Sequence, residues 1–210
     1  PVVTTGDVII SNASFDIGAE DKFDIEKLNT KISFEQNKVF ASDMAFTIDG
    51  QEAKGTLFSG KNKKEVRIYI QSILTVNMLN KISPNISQLS VSGKADFNLD
   101  IILNADDDEN TKKYIFNSNL VGSSFVMDGL YKKNIKESLV TKIVYIATPM
   151  QEIFEVNIDS LLNAKLKYTH NKWSGHVDFG ENAMADNSDG KHLFISGDLN
   201  SYTINNNAKI

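Results

Sequence analysis

Apolar and polar residues alternate with a period of two along most of this chain. The clearest stretch runs from Leu89 to Leu103. Its odd positions are Leu89, Val91, Gly93, Ala95, Phe97, Leu99, Ile101 and Leu103, all apolar or small. Its even positions are Ser90, Ser92, Lys94, Asp96, Asn98, Asp100 and Ile102, polar except the last. Such alternation places the two sets on opposite faces of a β-strand. At about 3.3 Å per residue the stretch reaches roughly 50 Å, far beyond an ordinary strand of about 5–6 residues. The pattern therefore predicts one long strand, or two joined at a bulge near Gly93.

The same period recurs in shorter runs: Met44, Phe46 and Ile48; Val66, Ile68 and Ile70; Leu139, Thr141, Ile143 and Tyr145; Phe154, Val156 and Ile158. It returns in Leu162, Ala164, Leu166 and Tyr168, in Trp173, Gly175, Val177 and Phe179, and in Leu193, Ile195, Gly197 and Leu199. Clusters of Asp, Asn, Gly and Lys separate the runs, at Asp49-Gly50, Gly60 to Lys63, Asp128-Gly129, His170 to Lys172 and Asp186 to Gly190. They predict turns between antiparallel strands, about a dozen strands in all. One segment departs from the period. From Ile70 to Ser83, Ile73, Val76, Leu79 and Ile82 stand at helical spacing and Pro84 follows, which predicts a short amphipathic helix ending at the proline. The fold class expected is all-β, a long curved antiparallel sheet with one short helix. Residues 1–210 are expected to form one β-rich segment, with a soft boundary near 71–84.

Composition narrows the chemistry. The 210 residues include no Cys, which removes disulfides, thiol nucleophiles and Cys-ligated zinc or iron–sulfur sites. The net charge of −5 argues against nucleic acid as a partner, because phosphate neutralisation needs a basic surface. The longest apolar runs, Val8-Ile9-Ile10 and Ile101-Ile102-Leu103, are far too short to cross a bilayer. The chain opens Pro1-Val2-Val3, which is expected of a piece of a longer protein.

Sites for chemistry are sparse. The acidic run Asp106-Asp107-Asp108-Glu109 lacks the spacing of a calcium loop, and a solvated hairpin tip is the simpler reading. His170, His176 and His192 have no Glu one helical turn away on a helix and suit surface positions better than a metal site. Ser188-Asp189-Gly190-Lys191 satisfies S-x-x-K but lies in a polar loop without companion motifs, and no G-x-S-x-G, dinucleotide or Walker loop occurs. The triplets beginning at Asn12 and Asn85 fit glycosylation, as short motifs do by chance in an Asn-rich chain. Lys61, Lys63, Lys64 and Arg67 form one basic patch, and Lys132, Lys133 and Lys136 a second. Either could touch anionic head groups, though lysines on strand edges more often prevent strand-to-strand aggregation. The remaining feature is the long apolar face itself. Periodicity alone favours a packed core; left uncovered, a strip of that size marks an interaction site.

A family resemblance shifts that balance. The segment ISQLSVSGKADFNLDIIL (86–103), with Gly93 and Ala95 after Leu89 and Val91, resembles the AsmA-like superfamily, especially its YhdP-type members, where a strand with Gly-x-Ala follows a short helix. Tyr114 to Asn134, with Ser118, Leu120 and Gly122, is similar to the next strand pair of that family. Asn171 to Glu181, with Gly175 and Gly180, is similar to a later strand. The family's L-P-x-P-L-x-K turn is replaced by Met127-Asp128-Gly129-Leu130-Tyr131-Lys132, without prolines. The likeness covers about half the chain.

The resemblance implies a non-enzymatic segment of a bridge-like protein of the periplasm and cell envelope, tethered to the inner membrane by regions outside this segment. Its partner would be a phospholipid or another acyl lipid, carried in an apolar β-groove between inner and outer membranes, with no cofactor. Groove positions are then Leu89, Val91, Ala95, Phe97, Leu99, Ile101 and Leu103, with Phe116, Leu120, Val177 and Phe179. Parity leaves open which face is concave. The alternative is a closed β-sandwich binding or adhesion module, in which the odd residues of 89–103 lie under a second sheet. A hydrolase of unfamiliar type would need His or Ser converging with carboxylates.

Overall fold

The computed structural model describes residues 5–17, 23–35, 38–59, 65–82, 90–104, 110–127, 131–170, 172–180 and 193–197. They form an open, almost entirely antiparallel sheet, not closed into a barrel, and one short helix. The strands are β1 (Thr5–Ile17), β2 (Phe23–Glu35), β3 (Lys38–Ile48), β4 (Gln51–Ser59) and β5 (Glu65–Thr75), then helix α1 (Val76–Ile82) and β6 (Ser90–Asn104). They continue with β7 (Lys112–Ser118), β8 (Ser123–Met127), β9 (Tyr131–Lys133), β10 (Thr141–Ala147), β11 (Glu152–Ile158), β12 (Leu162–Thr169), β13 (Lys172–Phe179) and β14 (Leu193–Gly197).

Strand order follows chain order with one detour. The path runs β1 to β7 and then directly to β10, while β8 and β9 leave it: β8 pairs with the first residues of β6, and β9 with β8. Among the described strands only β13 and β14 pair in parallel. The expected long strand forms as one element of 15 residues, and Gly93 divides its pairing. Up to and including Gly93 it pairs with β8, and from Lys94 onward with β5. Gly93 has φ 87°, and a Cβ there would stand 2.2 Å from the Gly122 carbonyl oxygen, so only glycine permits the crossing.

The predicted turn at Asp49-Gly50 forms. Asp49 (φ 48°) and Gly50 (φ 73°) make the two-residue connection of β3 and β4, with the positive φ pair that such hairpins need. Lys27, at φ 56° in β2, is the extra residue against both β1 and β3. This bulge reverses parity, so Ile25 and Leu28 both become core. The Asp128-Gly129 turn, the loops at 60–63 and 186–190, and the acidic run 106–109 lie outside the described residues.

The helix is shorter than expected. Ile70 to Thr75 stay in β5 because that strand pairs with β6 at eleven positions, ending at Thr75 opposite Lys94. This pairing joins the strands on either side of α1. Helix formation begins at Val76, where the Met78 N–H donates to Thr75 Oγ1 (3.3 Å), as an N-cap residue allows. Ile73 therefore belongs to a strand, and the helix buries Met78, 2% exposed, with Leu79 packed beside it. Lys81 in its last turn is 2.8 Å from Asp49 Oδ1, a favourable place for a cation. Below α1 lies the core: Ile25, Leu28, Phe46, Ile48, Ala53, Leu74, Met78 and Phe97.

Candidate functional site: a registered apolar face

Cross-strand register converts the alternation of single strands into continuous rows. On one face, Ile70, Leu99, Phe116, Ile143, Val156, Ala164 and Val177 stand in direct succession across seven strands. The next row is Leu57, Ile68, Ile101, Tyr114, Tyr145, Phe154 and Leu166. Pairs directly opposite one another are the contacts that stabilise a sheet. At about 4.8 Å between neighbours, the eight strands from β4 to β13 along the path span about 34 Å.

Burial along this face changes from one end of the strands to the other. Toward α1, Ala95, Phe97, Ser118 and Thr141 are buried. Away from it, Leu99, Ile101, Leu103, Tyr114, Phe116, Ile143, Tyr145, Phe154, Val156 and Leu166 are each half-buried. Aromatic rings line the half-covered part. Tyr114 stacks on Tyr145 (5.8 Å), Tyr145 on Phe154 (4.5 Å), and Trp173 lies 5.5 Å from Phe154 and 5.0 Å from Tyr168. The Tyr145 hydroxyl is held protonated to higher pH than usual, first by burial and then by the Glu152 carboxylate.

The opposite face carries charged pairs, beside the half-buried Ile102, Ile115, Ile146 and Ile153 and the buried Val144. Arg67 clamps Asp100 through Nε (2.7 Å) and a second, shorter bond from Nη2. Lys165 pairs with Glu155 at 3.1 Å, and His176 Nε2 lies 3.8 Å from Asp178 Oδ2. A shallow hollow of about 370 Å³ there is lined by Lys142, Glu155, Asn157, Asn163, Lys165 and His176 together with Val144, Val156 and Ala164. Among the described residues no three His, Asp or Glu side chains gather to hold a metal ion. No described helix is long and apolar enough to cross a membrane.

The expected groove residues divide into four groups. Leu89 lies outside the described residues. Val91 sits opposite Phe125 in the part of β6 that pairs with β8. Ala95 and Phe97 are buried at 3% and 9%; Phe97 stacks on Phe116 at 5.5 Å and is part of the core below α1. The rest are half-buried: Leu99, Ile101, Leu103 and Phe116 on the registered face, Leu120 in the turn after β7 against the core, and Val177 and Phe179 opposite Ala164 and Leu162. Sequence reasoning passed over Ile68, Tyr114, Ile143, Tyr145, Phe154 and Trp173 as site residues. Their strand parity was legible, but joining them to the 95–103 row requires the strand order.

The basic patch at 132–136 is not a single surface. Lys133 is fully buried, and its Nζ donates to the carbonyls of Ser123 (2.8 Å) and Asn134 (3.1 Å). Burial lowers its pKa from the ordinary lysine value. Beside it the Tyr131 hydroxyl bonds Glu137 Oε1, which raises the Tyr131 pKa to about 12 and lowers that of Glu137. Lys133→Ala is expected to lower stability by about 2–4 kcal/mol, because it opens a cavity and strands two carbonyls. Lys132→Ala, at the exposed neighbour, should stay within about 0.5 kcal/mol. Urea denaturation of both variants measures the difference.

Comparison with known proteins returned no matching family model, no matching curated protein and no matching solved structure.

Proposed function

We propose that this sheet carries acyl lipid on its registered apolar face, as a segment of an AsmA-like bridge that moves phospholipid between the inner and outer membranes of a cell envelope. The observation that carries the reading is the run of half-buried apolar rows across β4–β7 and β10–β13. An acyl chain in water costs about 0.8 kcal/mol per CH₂. A continuous apolar surface offsets that cost without any bond being made or broken, so the chain needs no catalytic group. Anchoring to the inner membrane belongs to regions outside this segment.

A closed sandwich would set a second sheet over the odd residues of 89–103. The described strands instead join one open sheet, with only β8 and β9 off the main path, which favours the lipid reading. The test is mass spectrometry of lipids that co-purify with the chain after expression in an envelope-competent host. Phospholipid at about one molecule or more per chain is expected. A folded, monodisperse protein free of lipid would sink the proposal.

A further inference from the structure

Polarity along the strands of the apolar face is graded. At the α1 end the face is sealed: Ser72, Phe97, Ser118 and Thr141 are each 9% exposed or less. The next row is wholly apolar, from Ile70 to Val177, and the one after it brings in the hydroxyls of Tyr114 and Tyr145. The last row, over β7 to β13, holds Lys112, Ala147, Glu152, Tyr168 and Trp173. Among the described residues of β4–β7 and β10–β13, Lys112 and Glu152 are the charged side chains on this face, and both stand in that last row.

This order repeats that of half a bilayer. Hydrocarbon comes first, then Tyr and Trp, which favour the interface because one end of the ring system is apolar and the other wet, then charge. From Phe97 to Leu103 the strand advances about 20 Å. That is enough for the roughly 15 Å of hydrocarbon in one leaflet of a ~30 Å core, with a head group beyond it. Lys112 and Glu152 lie two strands apart, about 10 Å, with opposite charges. A head group bearing both a phosphate and an ammonium complements such a pair; an uncharged head offers neither group an opposite charge.

We infer that the site holds a zwitterionic phospholipid in one orientation, its acyl chains directed toward α1 and its head group at the rim formed by Lys112, Glu152, Tyr168 and Trp173. The inference rests on the lipid-carrying reading and adds polarity and head-group class to it. The phosphate lies beside the Lys112 ammonium and the lipid amine beside the Glu152 carboxylate, while the chain methyls meet the sealed end near Phe97.

Trp173 is the sole tryptophan of the chain, so it reports on one rim alone. The experiment measures quenching of its fluorescence by phosphatidylcholine spin-labelled on the acyl chain, either next to the head group or next to the terminal methyl. Bound lipid is quantified by co-elution in each case. Head-proximal label is expected to quench at least threefold more strongly per bound lipid. Equal quenching, or the reverse order, with lipid bound overturns the orientation while leaving lipid carriage standing. Absence of bound lipid with either probe overturns both. In a competition arm, phosphatidylethanolamine should displace the probe at least tenfold better than diacylglycerol of the same chains. Equal displacement overturns the head-group assignment alone.

Discussion

Phe97→Asp abolishes cooperative folding. Phe97 is 9% exposed, stacks on Phe116 at 5.5 Å and belongs to the cluster of Phe46, Leu74 and Met78 below α1. Truncation of a buried Phe alone costs about 3–5 kcal/mol. An ionised carboxylate in the same place adds several more, since the described residues of the cluster around it are apolar and burial of an unpaired charge is strongly opposed. A domain has about 5–15 kcal/mol in total, so the sum reaches the whole stability. Circular dichroism melting should lose its cooperative transition. A variant that melts as the parent does would mean that the α1 end of the sheet is open rather than sealed, and the core assignment would be wrong.

Ile143→Asp gives the opposite outcome: the fold is kept and lipid capture is lost. Ile143 stands midway along the aliphatic row, between Phe116 and Val156, and is half-buried. Losing its cross-strand contacts costs about 1 kcal/mol. A carboxylate facing an acyl chain costs about 3 kcal/mol, which corresponds to about a hundredfold weaker capture. Lipid content per folded chain, with the melting midpoint measured on the same sample, separates the two effects. Unchanged lipid content in a folded Ile143→Asp protein would remove this face from the lipid path. The two substitutions introduce the same carboxylate on the same face, so their divergence tests the gradient of cover directly.

Much of the fold was legible in the residues. Alternation predicted β3, β5, β6 and β10 to β14, Asp49-Gly50 predicted its hairpin, and the odd positions from Ala95 to Leu103 share a face as expected. Helix spacing between Ile73 and Ile82 overstated α1, because pairing of β5 with β6 holds residues up to Thr75 in the sheet. Local periodicity at Ile73 competed with a non-local ladder and lost. Near Ile25 and Leu28 the period of two breaks in the sequence, and only the bulge at Lys27 explains how both are buried. Among the lysines of the second basic patch, composition gives no sign that Lys133 turns inward to two carbonyls while Lys132 remains exposed.

What the sequence determined by itself is the two-faced strand: side chains one apart must point to opposite sides of a pleated backbone, so Phe97, Leu99 and Ile101 share a face wherever β6 lies. The tertiary structure decided which strands stand side by side and what lies over them. It set β7 against β10 with β8 and β9 displaced, which aligned Phe116 with Ile143 and Val156 in one row. It also brought Met78 of α1 into the cluster around Phe97 and left the Tyr114 to Trp173 aromatics half-covered. Neighbour and cover depend on contacts between residues far apart in the chain, and a period of two in one strand carries no record of them.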